Sequence, residues 1–192
     1  MPKLPKEFYL RNNVLDISRD LLGKYIFTRI DKQLTGGIIT EVEAYAGQTD
    51  RASHAYANRR TPRNEVMYSE GGVAYVYLCY GIHHLFNIVT NKAEIPHAIL
   101  LRGIMPTDGI EAMLCRRNKF KVDKTLTSGP GSVSQALGIK TTFNGTNLCG
   151  NIIWLEDKGF STDGIKIITS PRIGVSYAGQ DALLPYRFIL DT

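Results

Sequence analysis

The segment Gly37-Ile-Ile-Thr-Glu-Val-Glu-Ala-Tyr-Ala46 sets two carboxylates and a phenol at alternate positions. Alternate residues of a strand share a face, so Ile39, Glu41, Glu43 and Tyr45 are expected on one side, with Val42 and Ala44 on the other. A carboxylate beside an aromatic ring can work as a general base next to a stacking platform. The same pattern also describes the wet side of an edge strand. Val73-Ala-Tyr-Val-Tyr-Leu-Cys-Tyr80 repeats the alternation: Tyr75, Tyr77 and Cys79 share a face, and Tyr80 falls at the turn that follows. Six of the ten tyrosines lie between 45 and 80, interleaved with Arg51, Arg59, Arg60 and Arg63 in a stretch, 51–64, that has no acidic residue. Arginines meet phosphates and aromatic rings stack on unpaired bases, so the mixture points to nucleic acid. Taken singly, the tyrosines also fit a core and the basic run a solvated face. A second basic run holds Arg116, Arg117, Lys119, Lys121 and Lys124.

These residues need elements to hold them. Strands are predicted over 25–30 and 36–45, and 73–79 and 85–90 form a hairpin across Tyr80–His84. Another apolar strand covers 98–104, before Pro106. Residues 14–22 read as a short helix ended by Gly23. Thr61-Pro62 places a capping residue before a first-turn proline, which predicts a short helix there. Asp108 and Glu111 suggest a capping box for a helix over about 109–118. Ser132 and Gln135 suggest another, closed by Gly138. Strands come mostly as sequence neighbours, so the expected fold is α+β: one mixed domain, 1–192, around a curved, largely antiparallel sheet with short helices and a protruding β-hairpin.

Composition narrows the function classes. The length of 192 residues suits one domain with a real core. No apolar run approaches the roughly 20 residues needed to cross a bilayer, and the opening Met1-Pro-Lys-Leu-Pro-Lys6 does not read as a secretory leader. Cys79, Cys115 and Cys149 are odd in number and widely spaced, which argues against a disulfide framework or a CxxC zinc site and suits a reducing cytoplasm. The formal charge of +5 is compatible with a nucleic-acid partner.

Several motifs in order resemble the alkyladenine DNA glycosylase family, the 3-methyladenine DNA glycosylases of animal type that are also found in bacteria. They are Glu41-Val-Glu-Ala-Tyr45, His54, Arg59-Arg-Thr-Pro-Arg-Asn64, Tyr75-Val-Tyr-Leu-Cys-Tyr-Gly81, Asn87, Ile99-Leu-Leu-Arg102, Ser128-Gly-Pro130 and Pro171-Arg-Ile-Gly-Val175. The resemblance implies Glu43 as general base, and Arg102 as a residue that helps hold the attacking water near a main-chain carbonyl at Val175. It implies Tyr45, His54 and Tyr77 as walls of a base pocket, with Leu100 and Val175 beside them and Asn87 screening purine substituents. Tyr80 would fill the gap left by a flipped nucleotide. Ile82 and Met67 would face DNA, and Arg59 and Thr61 would contact its backbone. His83-His84 depart from the apolar or aromatic pair expected after the turn, and read as exposed loop residues.

The implied activity is hydrolysis of the N-glycosidic bond of damaged purines (3-methyladenine, 7-methylguanine, hypoxanthine, ethenoadenine) in double-stranded DNA. The enzyme is expected to be a monomer without cofactor, metal or membrane partner. Lys92 is the only lysine between Ile38 and Met105, so an abasic product without strand cleavage is expected. Two rival readings remain at this level. A non-catalytic nucleic-acid-binding domain would not need Glu43 or Arg102. A metal-dependent nuclease would need clustered Asp/Glu ligands, and Glu41 and Glu43 are the only close acidic pair on one face of the motif region.

Overall fold

The computed structural model describes residues 2–162 and 164–191. Its centre is a long strand, β2 (Gln33–Tyr45), that follows β1 (Tyr25–Ile30) through a tight turn. Next come the hairpin β3 (Ala74–Cys79) and β4 (His83–Thr90), then β5 (His97–Asp108), which pairs with both β4 and β2. Three four-residue strands complete the sheet: β6 (Ile153–Glu156), β7 (Ile167–Ser170) and β8 (Arg187–Leu190). The order is β3-β4-β5-β2-β1-β6, every pairing is antiparallel, and the sheet curls into a half-barrel. β8 takes over the edge of β2 at Glu41–Glu43, beyond the end of β1. Glu43 is thus flanked by Leu100 of β5 and Arg187 of β8, in the interior of the sheet. An edge position would have left it in water.

Strict alternation along β2 does not hold. Its register against β5 shifts between Ile39 and Val42. Such a bulge re-aims the side chains on one side of it relative to those on the other. Ile39 therefore packs in the main core with Val42 and Ala44, the face opposite to the one expected, while Glu41, Glu43 and Tyr45 keep theirs. The main core fills the face of the sheet covered by α1 (Lys6–Tyr9), α2 (Val14–Leu21), α3 (Ile110–Arg117) and α4 (Pro130–Leu137). In α2, Val14, Ile17, Ser18 and Leu21 share the buried stripe. Asn13 caps it through Oδ1, which accepts from the Leu15 N–H at 2.9 Å.

Other local readings need correction. Thr61-Pro62 does not start a helix. Thr61 donates through its N–H and its hydroxyl to Asn64 Oδ1 (2.7 and 3.0 Å), and a 3-10 turn follows only over Glu65–Tyr68. The Asp108–Glu111 capping box is not made, because Asp108 is the last residue of β5 and left-handed Gly109 precedes α3. α4 begins at Pro130, before Ser132. Ser132 and Gln135 instead receive the Arg117 guanidinium, at 2.9 and 2.6 Å. Arg116 likewise reaches Thr35 and the Ala136 carbonyl. The front of the second basic run is thus internal bracing between helices and sheet.

Candidate active site

Glu43 is fully buried. Its Oε1 accepts from the Ile173 N–H at 2.9 Å and lies 3.3 Å from Arg102 Nε. Its Oε2 accepts from the Tyr45 hydroxyl at 2.9 Å. Burial raises the carboxyl pKa above its ordinary range, against the opposing pull of Arg102, the Ile173 N–H and the Tyr45 hydroxyl. An elevated carboxyl with lone pairs to spare is a stronger proton acceptor than an ordinary carboxylate. Glu41, the other carboxylate of the pair, accepts from Arg102 Nε and Arg187 Nε, each at 2.7 Å. Two arginines hold it, so it is a structural counter-charge and does not aim with Glu43 at an open site. Among the described residues no group of three or more His, Cys, Asp or Glu side chains converges as metal ligands would.

In front of Tyr45 opens a narrow, half-open cavity. Its lining includes Tyr45, His54, Tyr77 and Asn87 from the expected set, together with Tyr75, Met67 and Tyr177. His54 meets Tyr77 edge-on at 4.7 Å between ring centroids, and His54 Nδ1 shares a 2.8 Å hydrogen bond with the Tyr75 hydroxyl. Burial, then the nearby Arg63 and Arg59, push the imidazole pKa down to about 4, so His54 is neutral at physiological pH. Asn87 is buried, and its amide donates to the Tyr75 and Leu85 carbonyls at 3.2 and 3.4 Å. Those bonds hold the side chain in one orientation at the pocket floor. Leu100 pairs with both Glu43 and Asn87 across the sheet, beneath the cavity and outside its lining.

Met67, expected to face DNA, is buried in a small cluster with Ala55, Tyr68 and Tyr75 and meets only the wall of the pocket. A short 3-10 turn carries it inward. Val175 is also buried, against Ala52 and Ala178, and its carbonyl accepts from the Ala178 N–H at 2.9 Å. The backbone group of this loop that touches Glu43 belongs to Ile173.

Beside the pocket lies a basic concavity lined by Arg51, Arg59, Thr61 and Arg63, with no acidic residue in its wall. Asn64 sets its shape from within. The Asn64 amide donates to the His54 and Arg59 carbonyls at 2.9 and 2.8 Å, tying the arginine loop to the pocket wall. Arg60 belongs elsewhere, bound to Glu65 and Glu94. The β3–β4 hairpin then projects past the pocket. Tyr80 at its tip is 91% exposed and Ile82 is 71% exposed. The tip residues Tyr80 and Gly81 both have positive φ, 51° and 75°, as type I′ turns require. His84 is not a free loop residue, since its Nδ1 accepts from the Thr141 N–H at 3.2 Å.

Buried carboxylate, aromatic pocket, basic groove and exposed apolar tip occur together, and comparison with known proteins agrees. The model of a family described as methylpurine-DNA glycosylase matches residues 7–192. The chain belongs to that family. It is 45% identical over 188 residues to a protein of Chlamydia abortus named "Putative 3-methyladenine DNA glycosylase", covering 97% of each chain. Proteins of the same name from Chlamydia felis and Desulfitobacterium hafniense are 44% and 38% identical, with 98% and 100% of this chain covered and 96% of each of theirs.

Sequence reading alone missed Arg172, although it lies inside a quoted motif. Arg172 is buried and holds Asp50 with two bonds, at 2.5 and 2.8 Å. It donates to the Ala44 carbonyl at 2.8 Å and lies 4.8 Å from the Tyr45 ring centroid. It thereby fixes the loop that brings the Ile173 N–H to Glu43. Nothing local in the sequence pairs Arg172 with Asp50, 122 residues away.

Proposed function

We propose that this chain excises alkylated or deaminated purines from double-stranded DNA. The observation that carries the reading is the fully buried Glu43, held by Ile173, Tyr45 and Arg102, with Tyr45 itself in the wall of an aromatic pocket. In the stack the glycosidic bond is out of reach, so the damaged nucleotide is extruded, at a cost of a few kcal/mol. Tyr80 enters the vacated space and keeps it occupied. The base slides between Tyr45 and the His54–Tyr77 wall, and neutral His54 does not repel a cationic lesion. Electron-rich tyrosine faces attract such a lesion, each by about 0.5–2 kcal/mol.

Glu43 offsets the positive charge that develops on the sugar and takes a proton from water. The water oxygen bonds to C1′ as the C1′–N bond breaks and its electron pair leaves with the base. Cationic lesions depart neutral, without an added proton. The product is an abasic site in an uncut strand, and a single copy of the chain suffices. Free-base release from duplexes that each carry one lesion tests this. Release from at least one alkylated or deaminated purine, with the strand intact, is expected. No release from any of them overturns it.

A further inference from the structure

Two concavities meet at one side chain. Tyr177 lines both the base pocket and the basic groove, as only Ser53 and His54 otherwise do. Ser53 is buried, His54 belongs to the stacking wall, and Tyr177 is 68% exposed. The Tyr177 hydroxyl donates to the Ala52 carbonyl at 3.0 Å. That bond holds the ring upright although most of its surface is open. A tyrosine that served only to pack would not be left this exposed, and one that served only solubility would not be anchored.

The chemistry of the two cavities states what crosses the ring. One takes an aromatic base and the other takes phosphates. In a nucleotide the deoxyribose joins the two. We propose that Tyr177 is a positioning residue on which the deoxyribose of the flipped nucleotide rests, so that C1′ is presented to Glu43 and bulk water is kept out from the groove side. This rests on the excision reading above and adds to it a residue that neither the sequence motifs nor the family likeness singles out. Tyr177 stabilises the extruded state only, because in an intact duplex no sugar lies between the two cavities. Its loss should therefore speed the return of the nucleotide to the stack, with little effect on the first encounter with DNA.

The test uses the full chain with Tyr177→Ala and Tyr177→Phe, and a duplex containing one ethenoadenine. Ethenoadenine fluorescence in stopped flow reports the flipping equilibrium, single-turnover assays report base release, and binding to undamaged duplex is measured beside them. Loss of one aromatic contact corresponds to roughly a five- to hundredfold change in the flipping equilibrium. The Ala variant should lose that much in flipping and in single-turnover release, and bind undamaged duplex within about twofold of wild type. The Phe variant keeps the ring and should stay near wild type. Wild-type flipping in the Ala variant overturns the proposal. So does an equal loss in the Phe variant, which would make the Ala52 contact the function. Failure of the wild-type chain to release any base would instead strike the excision reading itself.

Discussion

The Glu43 region and the hairpin tip are built on opposite principles. Around Glu43 the carboxylate is held by partners the fold supplies: Ile173, Tyr45 and Arg102, and behind them the Arg172–Asp50 pair. At the tip, Tyr80 and Ile82 offer apolar surface to solvent, and the Tyr80 hydroxyl forms no hydrogen bond among the described residues. The first arrangement costs desolvation and delivers a charge at a fixed place. The second costs solvation of an aromatic ring and stores a group whose partner arrives only with the substrate. The proposed reaction, which must both extrude a nucleotide and attack it, needs each of these, in separate places, so that Tyr80 can move without disturbing the carboxylate. Substitutions in the two regions should accordingly damage different quantities.

The largest effect is expected at Glu43. Glu43→Gln keeps the shape and removes the proton acceptor, so single-turnover base release should fall by at least the roughly 10²–10⁴ of general-base catalysis. Binding to lesion-containing duplex should persist. The folded protein should also gain stability near neutral pH. Glu43 is raised on folding, so the stability it contributes is present below its ordinary carboxylate range and is lost as pH rises through its folded value. Gln carries no such penalty. Single-turnover release within tenfold of wild type would remove Glu43 from the chemistry.

Second is Arg172→Ala. It strands Asp50 as a buried charge, and breaking a buried pair costs about 3–5 kcal/mol. Denaturant unfolding should register that loss, and base release should fall with it as the Ile173 N–H leaves Glu43. An unfolding midpoint equal to wild type would show the pair to be dispensable. The contrasting case is Tyr80→Ser at the tip. Solvent-exposed substitutions usually stay within about 0.5 kcal/mol, so the melting temperature should hardly change, while ethenoadenine flipping should weaken roughly tenfold. A large loss of melting temperature with normal flipping would merge the two regions into one.

The two regions also differed in how far they could be read from sequence. The tip was legible because its structure is local: a β-branched and aromatic run, a turn with glycine, and a second run. That Tyr45 shares a face with Glu43, and Tyr77 with Tyr75, was legible because a strand alternates; their place in a pocket wall was implied by the resemblance. What could not be read depended on partners distant in sequence or on a break in the period. The bulge near Thr40 changed the face of Ile39, β8 closed over Glu41–Glu43 from the far end of the chain, and Arg172 found Asp50. The burial of Met67 could not be read because a one-turn 3-10 helix has no period long enough to reveal its inner side.

The smallest expected effect is the most discriminating. From residue types alone, the acid limb of base release could come from Glu43 or from His54. In the folded protein His54 is pushed down to about 4 by burial and by Arg63 and Arg59, whereas burial pushes Glu43 up. In the proposed mechanism release requires Glu43 ionised, so it should fall as pH drops through the raised carboxyl value. His54 takes up its proton only below that, where activity is already lost. His54→Ala should therefore lower the rate, since a wall of the pocket is removed, yet leave the midpoint of the acid limb unmoved. Glu43 keeps its main cause of elevation, burial in the sheet between Leu100 and Arg187, which His54 does not supply. Single-turnover rates over the range from about pH 4 to 8 give both quantities from one data set. An acid limb that moves or vanishes in His54→Ala would make the imidazole the titrating group and would mean that its neutrality in the free enzyme does not survive DNA binding.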